Sequence, residues 1–142
     1  MKFNVNQQDF QKSLNYCQGV IEKRSTLPIL SNVLVNASRE KLTITATDLD
    51  IIFIHEIPDV EIIEEGQTTT SSSIMYDIVR KFSSGKKINF SSEGESKLHL
   101  ESEKSIFNLN CIKSSEFPLT DENFNQNEFV IESKKLLKLL NK

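Results

Sequence analysis

The hydrophobic positions of this chain switch between extended and helical spacing in a fixed order. Phe3 and Val5 alternate with polar residues as in a strand, and Asn6 then provides a helix N-cap. The next apolar residues recur at helical spacing: Phe10, Leu14, Cys17 and Ile21. Three alternating runs separated by polar turns follow: 32–36, 42–46 and 51–57. The pattern predicts a strand, a helix and three strands.

The same order is predicted again from residue 67. Residues 67–70 read as a strand rich in β-branched side chains, and the serines at 71–73 offer N-caps. A helical stripe follows, made of Ile74, Met75, Ile78, Val79 and Phe82. The next strand candidates are 88–91, 97–101 and 105–112. A unit that occurs twice indicates an internal duplication, with halves at about 1–62 and 63–116.

A longer repeat relates the two ends of the chain. The segment FNVNQQDFQKSLNY at 3–16 aligns without a gap with FVIESKKLLKLLNK at 129–142. A shared apolar pattern explains most of the matches, but it does not explain the matched lysine and asparagine. We therefore expect a first domain at 1–126, ending in a polar linker at 117–126, and the opening strand and helix of a second copy at 127–142. The leucines of that helix would have no core of their own, and should pack on a neighbour or be poorly ordered.

The composition fits a soluble globular protein, with 37% hydrophobic and 26% charged residues among 142. No apolar run reaches the ~18 residues that a membrane span needs, and the N-terminus has no apolar signal-peptide core. Cys17 and Cys111 stand alone, without the spacing of a metal site, a redox motif or a disulfide framework. We expect two idle thiols in a reducing compartment, and hence the cytoplasm.

The net charge of −3 conceals a strong segregation of charge. The predicted helices and their exit loops, 7–24, 72–87 and 129–142, hold eleven basic and four acidic residues, whereas the rest holds six basic and sixteen acidic ones. A basic helical surface suggests a polyanion on that side. Lysines prevail there, which suits contact with the backbone of duplex nucleic acid rather than base stacking with a single strand. Solvated lysines without any ligand explain the same pattern, so a purely structural β protein stays open.

Candidate catalytic chemistry is sparse. His55 and His99 are isolated within strand patterns, the four glycines form no phosphate-binding loop, and no nucleophile motif occurs. Asp48 and Asp50 could bind Mg²⁺ as a carboxylate pair, although acidic residues are common in tight turns for backbone reasons. The alternative hypothesis is a small metal-dependent nuclease that uses these two residues. Otherwise the chain is expected to need no cofactor or metal.

One segment carries a specific resemblance. Residues 24–32, RSTLPILSN, closely resemble the Arg-x-Thr-Leu-Pro-Ile-Leu-x-Asn segment of the bacterial DNA polymerase III beta subunit family, the sliding clamps. Further motifs resemble that family in the same order: Met1-Lys2-Phe3, Thr47-Asp48-Leu49, Asp77-Ile78-Val79-Arg80-Lys81 and Glu116-Phe117-Pro118. Together they cover the whole chain, but only about the first third of a family member.

The resemblance implies an α+β DNA-clamp fold, in which a duplicated β-α-β-β-β unit places two helices on one side of antiparallel sheets. It implies a non-catalytic accessory subunit of a DNA polymerase in DNA replication. Three such domains per chain, and two chains head to tail, would close a ring around double-stranded DNA and hold it without reading its sequence. The replicative polymerase and the clamp loader would bind parts of the protein outside this chain.

The resemblance also implies residues that contact DNA. Arg24 resembles the family's DNA-contacting arginine in the loop after the first helix, and Lys23 is its expected helper. Ser73 stands where some relatives carry a basic residue, and its hydroxyl could still bond a phosphate. The further candidates for the basic lining are Lys12, Arg80 and Lys81.

Assembly is expected to use the last strand of the second unit. In the resemblance this strand, 105–112 here, is an edge strand that pairs with the other protomer, and an unpaired edge is a template for strand addition. Such a head-to-tail contact closes into a ring only when the rotation that relates one protomer to the next permits closure. The interface candidates are Phe107, Leu109, Ile78 and Phe82, each of which could instead be an ordinary core residue.

Overall fold

Each half of the chain folds as a strand, a helix and three further strands, which confirms the order that the hydrophobic pattern predicts. The computed structural model describes residues 1–21, 26–39, 41–119 and 130–141. The elements of the first half are β1 (Lys2–Asn6), α1 (Gln7–Cys17), a 3₁₀ turn (Pro28–Ser31), β2 (Asn32–Ser38), β3 (Lys41–Thr47) and β4 (Ile52–Ile57). A short strand that the sequence does not predict, β5 (Glu61–Glu64), follows them.

The second half repeats this order with a shorter helix. Its elements are β6 (Gly66–Ser71), α2 (Ser72–Val79), β7 (Lys87–Glu93), β8 (Lys97–Ser102), β9 (Ser105–Ile112) and a 3₁₀ turn (Ser114–Glu116). The helix α2 ends at Val79, before Phe82, the last residue of the predicted helical stripe. The strand β9 has the predicted limits.

The two halves are joined in the sheet because the first strand of each half pairs with a strand of the other half. Along the sheet the order is β4-β3-β2-β6-β9-β8-β7-β1-β5. The first strand of each half pairs antiparallel with the second strand of the other half, β1 with β7 and β6 with β2. Neither half can therefore complete its sheet alone, so that the two repeats form one folded unit.

The helices and the buried face of the strands enclose one apolar core. Phe3 and Phe90 stack with their ring centres 4.7 Å apart, and Phe10 of α1 lies 4.7 Å from the Phe90 ring. All three side chains are buried, as are Leu14 and Met75 on the inner sides of α1 and α2. The alternation of polar and apolar residues in the strands places charged side chains on the opposite face.

Helices α1 and α2 each begin directly at the end of a strand, with a side-chain cap. The Asn6 side chain accepts a hydrogen bond from the backbone N–H of Gln8 at 2.9 Å, and the Ser71 hydroxyl accepts one from Ile74 N at 3.5 Å. These contacts satisfy backbone donors that the first turn of a helix leaves unpaired. The two predicted caps are confirmed.

The last described segment contains a helix, α3 (Ser133–Leu140), without a strand before it. Residues 130–132 adopt no regular structure and Phe129 lies outside the described residues, so the opening strand of a second domain stays a prediction. A strand needs a pairing partner, and no described strand pairs with this segment. Leu136 and Leu140, which align with Phe10 and Leu14, are 42% and 72% exposed. They enter no core formed by the described residues. None of the described helices is long and apolar enough to cross a membrane.

Candidate nucleic-acid interface

The helical surface presents fewer free cations than a count of charges suggests. Lys12 on α1 and Lys81 after α2 are exposed and form no salt bridge with any described residue. Arg80, by contrast, is paired through its Nε with Asp77 Oδ1 at 3.1 Å. Lys23 and Arg24 lie outside the described residues.

The lysines at the start of β7 are also partly neutralised. Lys86 Nζ lies 3.7 Å from Glu103 Oε1, and Lys87 Nζ lies 3.9 Å from Glu61 Oε2. Exposed pairs of this kind stabilise a fold by little, but each removes local positive charge from the surface. The helical face is therefore less basic than the sequence predicts, because Asp77 pairs with Arg80 three residues away and the partners of Lys86 and Lys87 come from elements that are distant in sequence.

Ser73 is exposed in the first turn of α2. Its Oγ lies 3.3 Å from the Oγ of Ser71, the residue that caps the helix. Its neighbour Ser72 is fully buried and accepts a hydrogen bond from Gln18 Nε2 at 2.8 Å. Of these serines, Ser73 therefore has the hydroxyl most open to an external ligand.

Glutamine side chains join α1 to α2, a feature that the sequence analysis missed. Gln7, only 2% exposed, donates from Nε2 to Val79 O at 2.9 Å and to Gln11 Oε1 at 2.8 Å. Gln8 Nε2 donates to the hydroxyl of Ser84, and Gln18 Nε2 donates to that of Ser72. Glutamines at 7, 11 and 18 share one side of a helix, and that spacing could have been recognised in the sequence.

The predicted interface residues lie together, but two of them belong to the core. Leu109 is 7% and Phe82 8% exposed, and both contribute to the apolar cluster of the chain itself. Phe107 is half-buried and meets the Phe82 ring edge to face, with centres 5.7 Å apart. Ile78 is also partly buried against the core. Phe107 and Ile78 are thus the two of the four with surface left to contact another molecule.

The strand β9 has a free edge over part of its length. It pairs with β8 from Ser105 to Asn110, whereas its other side pairs with β6 only through Cys111 and Ile112. Within the described residues, the edge at 105–109 therefore has unpaired backbone groups of the kind that accept an added strand.

A second cluster of rings lies beside β4, the strand at one end of the sheet. Tyr16 of α1 is 44% exposed, and its ring centre lies 6.2 Å from that of Phe53 and 5.5 Å from that of His55. The sequence pattern predicts His55 as an isolated strand residue. Its ring in fact stacks parallel to Phe53, with centres 6.1 Å apart.

Of the two acidic residues at the β3–β4 turn, Asp48 stabilises the turn itself. Asp48 Oδ1 accepts hydrogen bonds from the backbone N–H groups of Asp50 at 3.0 Å and Ile51 at 2.7 Å. This is the local capping that makes aspartate frequent in turns. Among the described residues, no group of three His, Cys, Asp or Glu side chains could hold a metal ion. The metal-dependent nuclease hypothesis receives no support.

The two cysteines lie apart and differ in their surroundings. Burial raises the pKa of the Cys17 thiol to about 12. Burial also raises the pKa of Cys111, against an opposing effect of hydrogen bonds with Thr68 and Thr70. A raised pKa keeps a thiol protonated and unreactive at neutral pH.

The chain matches a family model described as DNA polymerase III beta subunit, N-terminal domain, over residues 1–121. It is 32% identical over 143 residues to the Beta sliding clamp of Caulobacter vibrioides (strain NA1000 / CB15N), and 31% identical over 140 residues to that of Escherichia coli (strain K12). These alignments cover 100% and 99% of this chain, which spans 38% of each relative's length.

Solved structures agree with the sequence relatives. Caulobacter crescentus pol III beta superposes with a TM-score of 0.92 at 32% identity, covering 100% of this chain and 38% of that one. The DNA polymerase III subunit beta of Pseudomonas aeruginosa gives a TM-score of 0.92 at 28% identity, covering 99% of this chain and 38% of that one. The expected DNA-clamp fold is confirmed.

Proposed function

The chain belongs to the DNA polymerase III beta subunit family, and we propose that it is the first domain, with the opening of a second, of a sliding clamp on duplex DNA. The family match over residues 1–121, together with the TM-score of 0.92 along the chain, is the observation that carries this proposal. In the proposed assembly, three domains per chain and two chains head to tail close a ring. The ring tethers a replicative polymerase in the cytoplasm and is itself a non-catalytic accessory subunit.

In this proposal the surface formed by α1 and α2 faces the DNA. Lys12, Ser73 and Lys81 are exposed there, and Arg24 with Lys23 would add cations from the loop after α1. Arg80 would contribute less, because Asp77 already pairs with it. Such contacts reach phosphates and not base edges, so they hold no fixed register and allow the ring to slide. Closure of the ring, rather than tight binding, would retain the DNA.

Assembly would use the free edge of β9. Strand addition at 105–109 would extend the sheet into a second copy, and the exposed parts of Phe107 and Ile78 would pack beside the added strand. Leu109 and Phe82 would support this contact from the core beneath it. At the other end, the exposed leucines of α3 would be covered by the sheet of the second domain, as Phe10 and Leu14 are covered in the first.

A domain exchange tests the proposal. Residues 1–126 of this chain replace the matching first domain of the Caulobacter vibrioides Beta sliding clamp, and the chimera is loaded onto nicked circular plasmid. We expect it to stay bound to the circle in high salt and to slide off once the plasmid is cut, because retention depends on a closed ring. Gel filtration first establishes that the chimera is folded and dimeric. A dimeric chimera that is not retained on circular DNA would count against the proposed function.

A further inference from the structure

A shallow polar groove of about 260 Å³ lies between α1 and α2. Its lining residues are Gln8, Gln11, Lys12, Asn15 and Tyr76. Three of these side chains end in a carboxamide, one in an ammonium group and one in a phenol, and none is acidic. Each can donate a hydrogen bond. The described part of this lining offers donors and no carboxylate, which suits an anionic ligand.

The amide of Gln11 has a defined orientation in this groove. Gln7 Nε2 contacts Val79 O at 2.9 Å, and a main-chain carbonyl can only accept, so the nitrogen of Gln7 must be the atom placed there. The same nitrogen lies 2.8 Å from the Gln11 amide, which must therefore present its oxygen to it. With that oxygen occupied inside the fold, Gln11 has its NH₂ group left for a ligand.

The buried position of Gln7 makes this orientation persistent. Gln7 is 2% exposed, and both hydrogens of its amide are used in the two contacts just described. Turning Gln11 around would set two NH₂ groups against each other and leave a buried donor unpaired, which costs free energy. Gln7 therefore acts on the groove indirectly, as a positioning residue.

We propose that this groove binds a backbone phosphate of duplex DNA, with donors from Gln11, Asn15 and Lys12. The inference rests on the proposed function and adds a site to it. The ammonium group of Lys12 supplies the positive charge, and the neutral amides of Gln11 and Asn15 supply directed hydrogen bonds. Because a neutral donor releases no counterion, its contact with a phosphate adds affinity without adding salt dependence. Tyr76 is half-buried and is the only aromatic side chain among the described residues of the groove lining, which favours a duplex over an unstacked single strand.

The test measures the affinity of the full 142-residue chain for a short DNA duplex across a salt series. Gln11→Glu keeps an oxygen that accepts from Gln7, but it replaces the outward donor with a carboxylate. We expect a loss of about tenfold in affinity with an unchanged unfolding temperature. Gln67→Glu introduces the same charge at an exposed position of β6 and should change affinity by less than about twofold. Equal losses in both variants would overturn the groove while leaving DNA binding in place.

The slope of log K against log salt distinguishes the charged donor, Lys12, from the neutral amide donors. Gln11→Ala should lower the affinity about equally at every salt concentration, whereas Lys12→Gln should reduce the slope of log K against log salt by about 0.9. Lys97→Gln, an exposed lysine on β8, should leave the slope unchanged. A Gln11→Ala variant with wild-type affinity, or a single strand that binds as tightly as the duplex, would overturn the assignment. No duplex binding by the unmodified chain at low salt would overturn this inference, whereas the proposed function is tested separately by retention of the chimera on circular DNA.

Discussion

The side-chain amide of Gln7 donates a hydrogen bond to the main-chain oxygen of Val79, 2.9 Å away, although the two residues are 72 positions apart. The contact joins the first turn of α1 in one repeat to the last residue of α2 in the other. The exchanged strands connect the repeats through the sheet, and Gln7 connects them through the helices. The helical surface is thus built from both repeats, with its relative helix positions held by a buried side chain.

Gln7→Ala should therefore destabilise the fold. The change leaves Val79 O without this donor and opens space beneath α1, so we expect a loss of about 1–3 kcal/mol in the free energy of unfolding. Urea unfolding followed by circular dichroism measures it. Gln67→Ala, on an exposed strand position, is the matched control and should change stability by less than about 0.5 kcal/mol. Equal stability of the two variants would show that the Gln7 contact contributes nothing.

The repeat architecture could be read from the sequence because it depends on local periodicity. Alternation identifies β9 with its correct limits, and the polar residues Asn6 and Ser71 mark both helix starts. The strand β5 could not be found in the same way, because EIIE has no alternation of its own. It forms by pairing with β1, where Ile62 lies opposite Phe3. Distant pairing of this kind leaves no local pattern.

In the candidate site, too, some features could be predicted from the sequence and others could not. Exposed cations such as Lys12 could be predicted from helical spacing, but the acidic partners of Lys86 and Lys87 could not. Glu61 and Glu103 reach Lys87 and Lys86 only because β5 and the β8–β9 turn fold beside the start of β7. The glutamine contacts depend likewise on the packing of α1 against α2. Counting charges in the sequence therefore locates the basic surface, but it overestimates the positive potential there.

Gly66→Ala should be strongly destabilising at the start of β6. The φ angle of Gly66 is +153°, and an added Cβ would lie 2.9 Å from the Cβ of Met1. Strain in a backbone region that only glycine visits readily, combined with this overlap, predicts a loss of about 1–3 kcal/mol. Gly19→Ala is the control, because its nearest neighbour would lie at an ordinary 3.6 Å and its φ is not in that region. Thermal unfolding compares them, and a Gly66→Ala protein as stable as the control would contradict the argument.

Leu109→Ala should destabilise the isolated chain, although Leu109 was predicted as an interface residue. Its side chain is 7% exposed within the core, so truncation should cost about 2–5 kcal/mol in unfolding free energy. Ile106→Ala on the same strand removes a side chain that is 66% exposed and should cost less than about 0.5 kcal/mol. Denaturant unfolding of the two variants gives the comparison. A small loss of unfolding free energy for Leu109→Ala would indicate that this side chain serves the interface and not the core.

Arg24→Ala should weaken duplex binding more than Arg80→Ala does. Under the proposed function Arg24 supplies a free guanidinium to a phosphate, so its loss should reduce the slope of log K against log salt by about 0.9. Arg80 is already paired with Asp77 at 3.1 Å, and its removal should change the slope by clearly less. Fluorescence anisotropy of a labelled duplex over a salt series measures both slopes. An equal or larger effect of Arg80→Ala would contradict the proposed roles.

Cys17 should make the stability of the chain depend on alkaline pH. Burial raises the pKa of its thiol from 9.0 to about 12 in the folded protein. Between these values the unfolded thiol ionises and the folded one does not, so the unfolded state binds fewer protons and stability falls as pH rises. Below pH 9 the contribution of Cys17 is complete, and by pH 12 it is lost. The unfolding free energies of the wild type and of Cys17→Ala, measured near pH 8 and near pH 11, should therefore converge at the higher pH. Cys111→Ala serves as the control for the loss of a less buried thiol. A wild-type advantage of the same size at both values would show that Cys17 titrates alike in the folded and unfolded states.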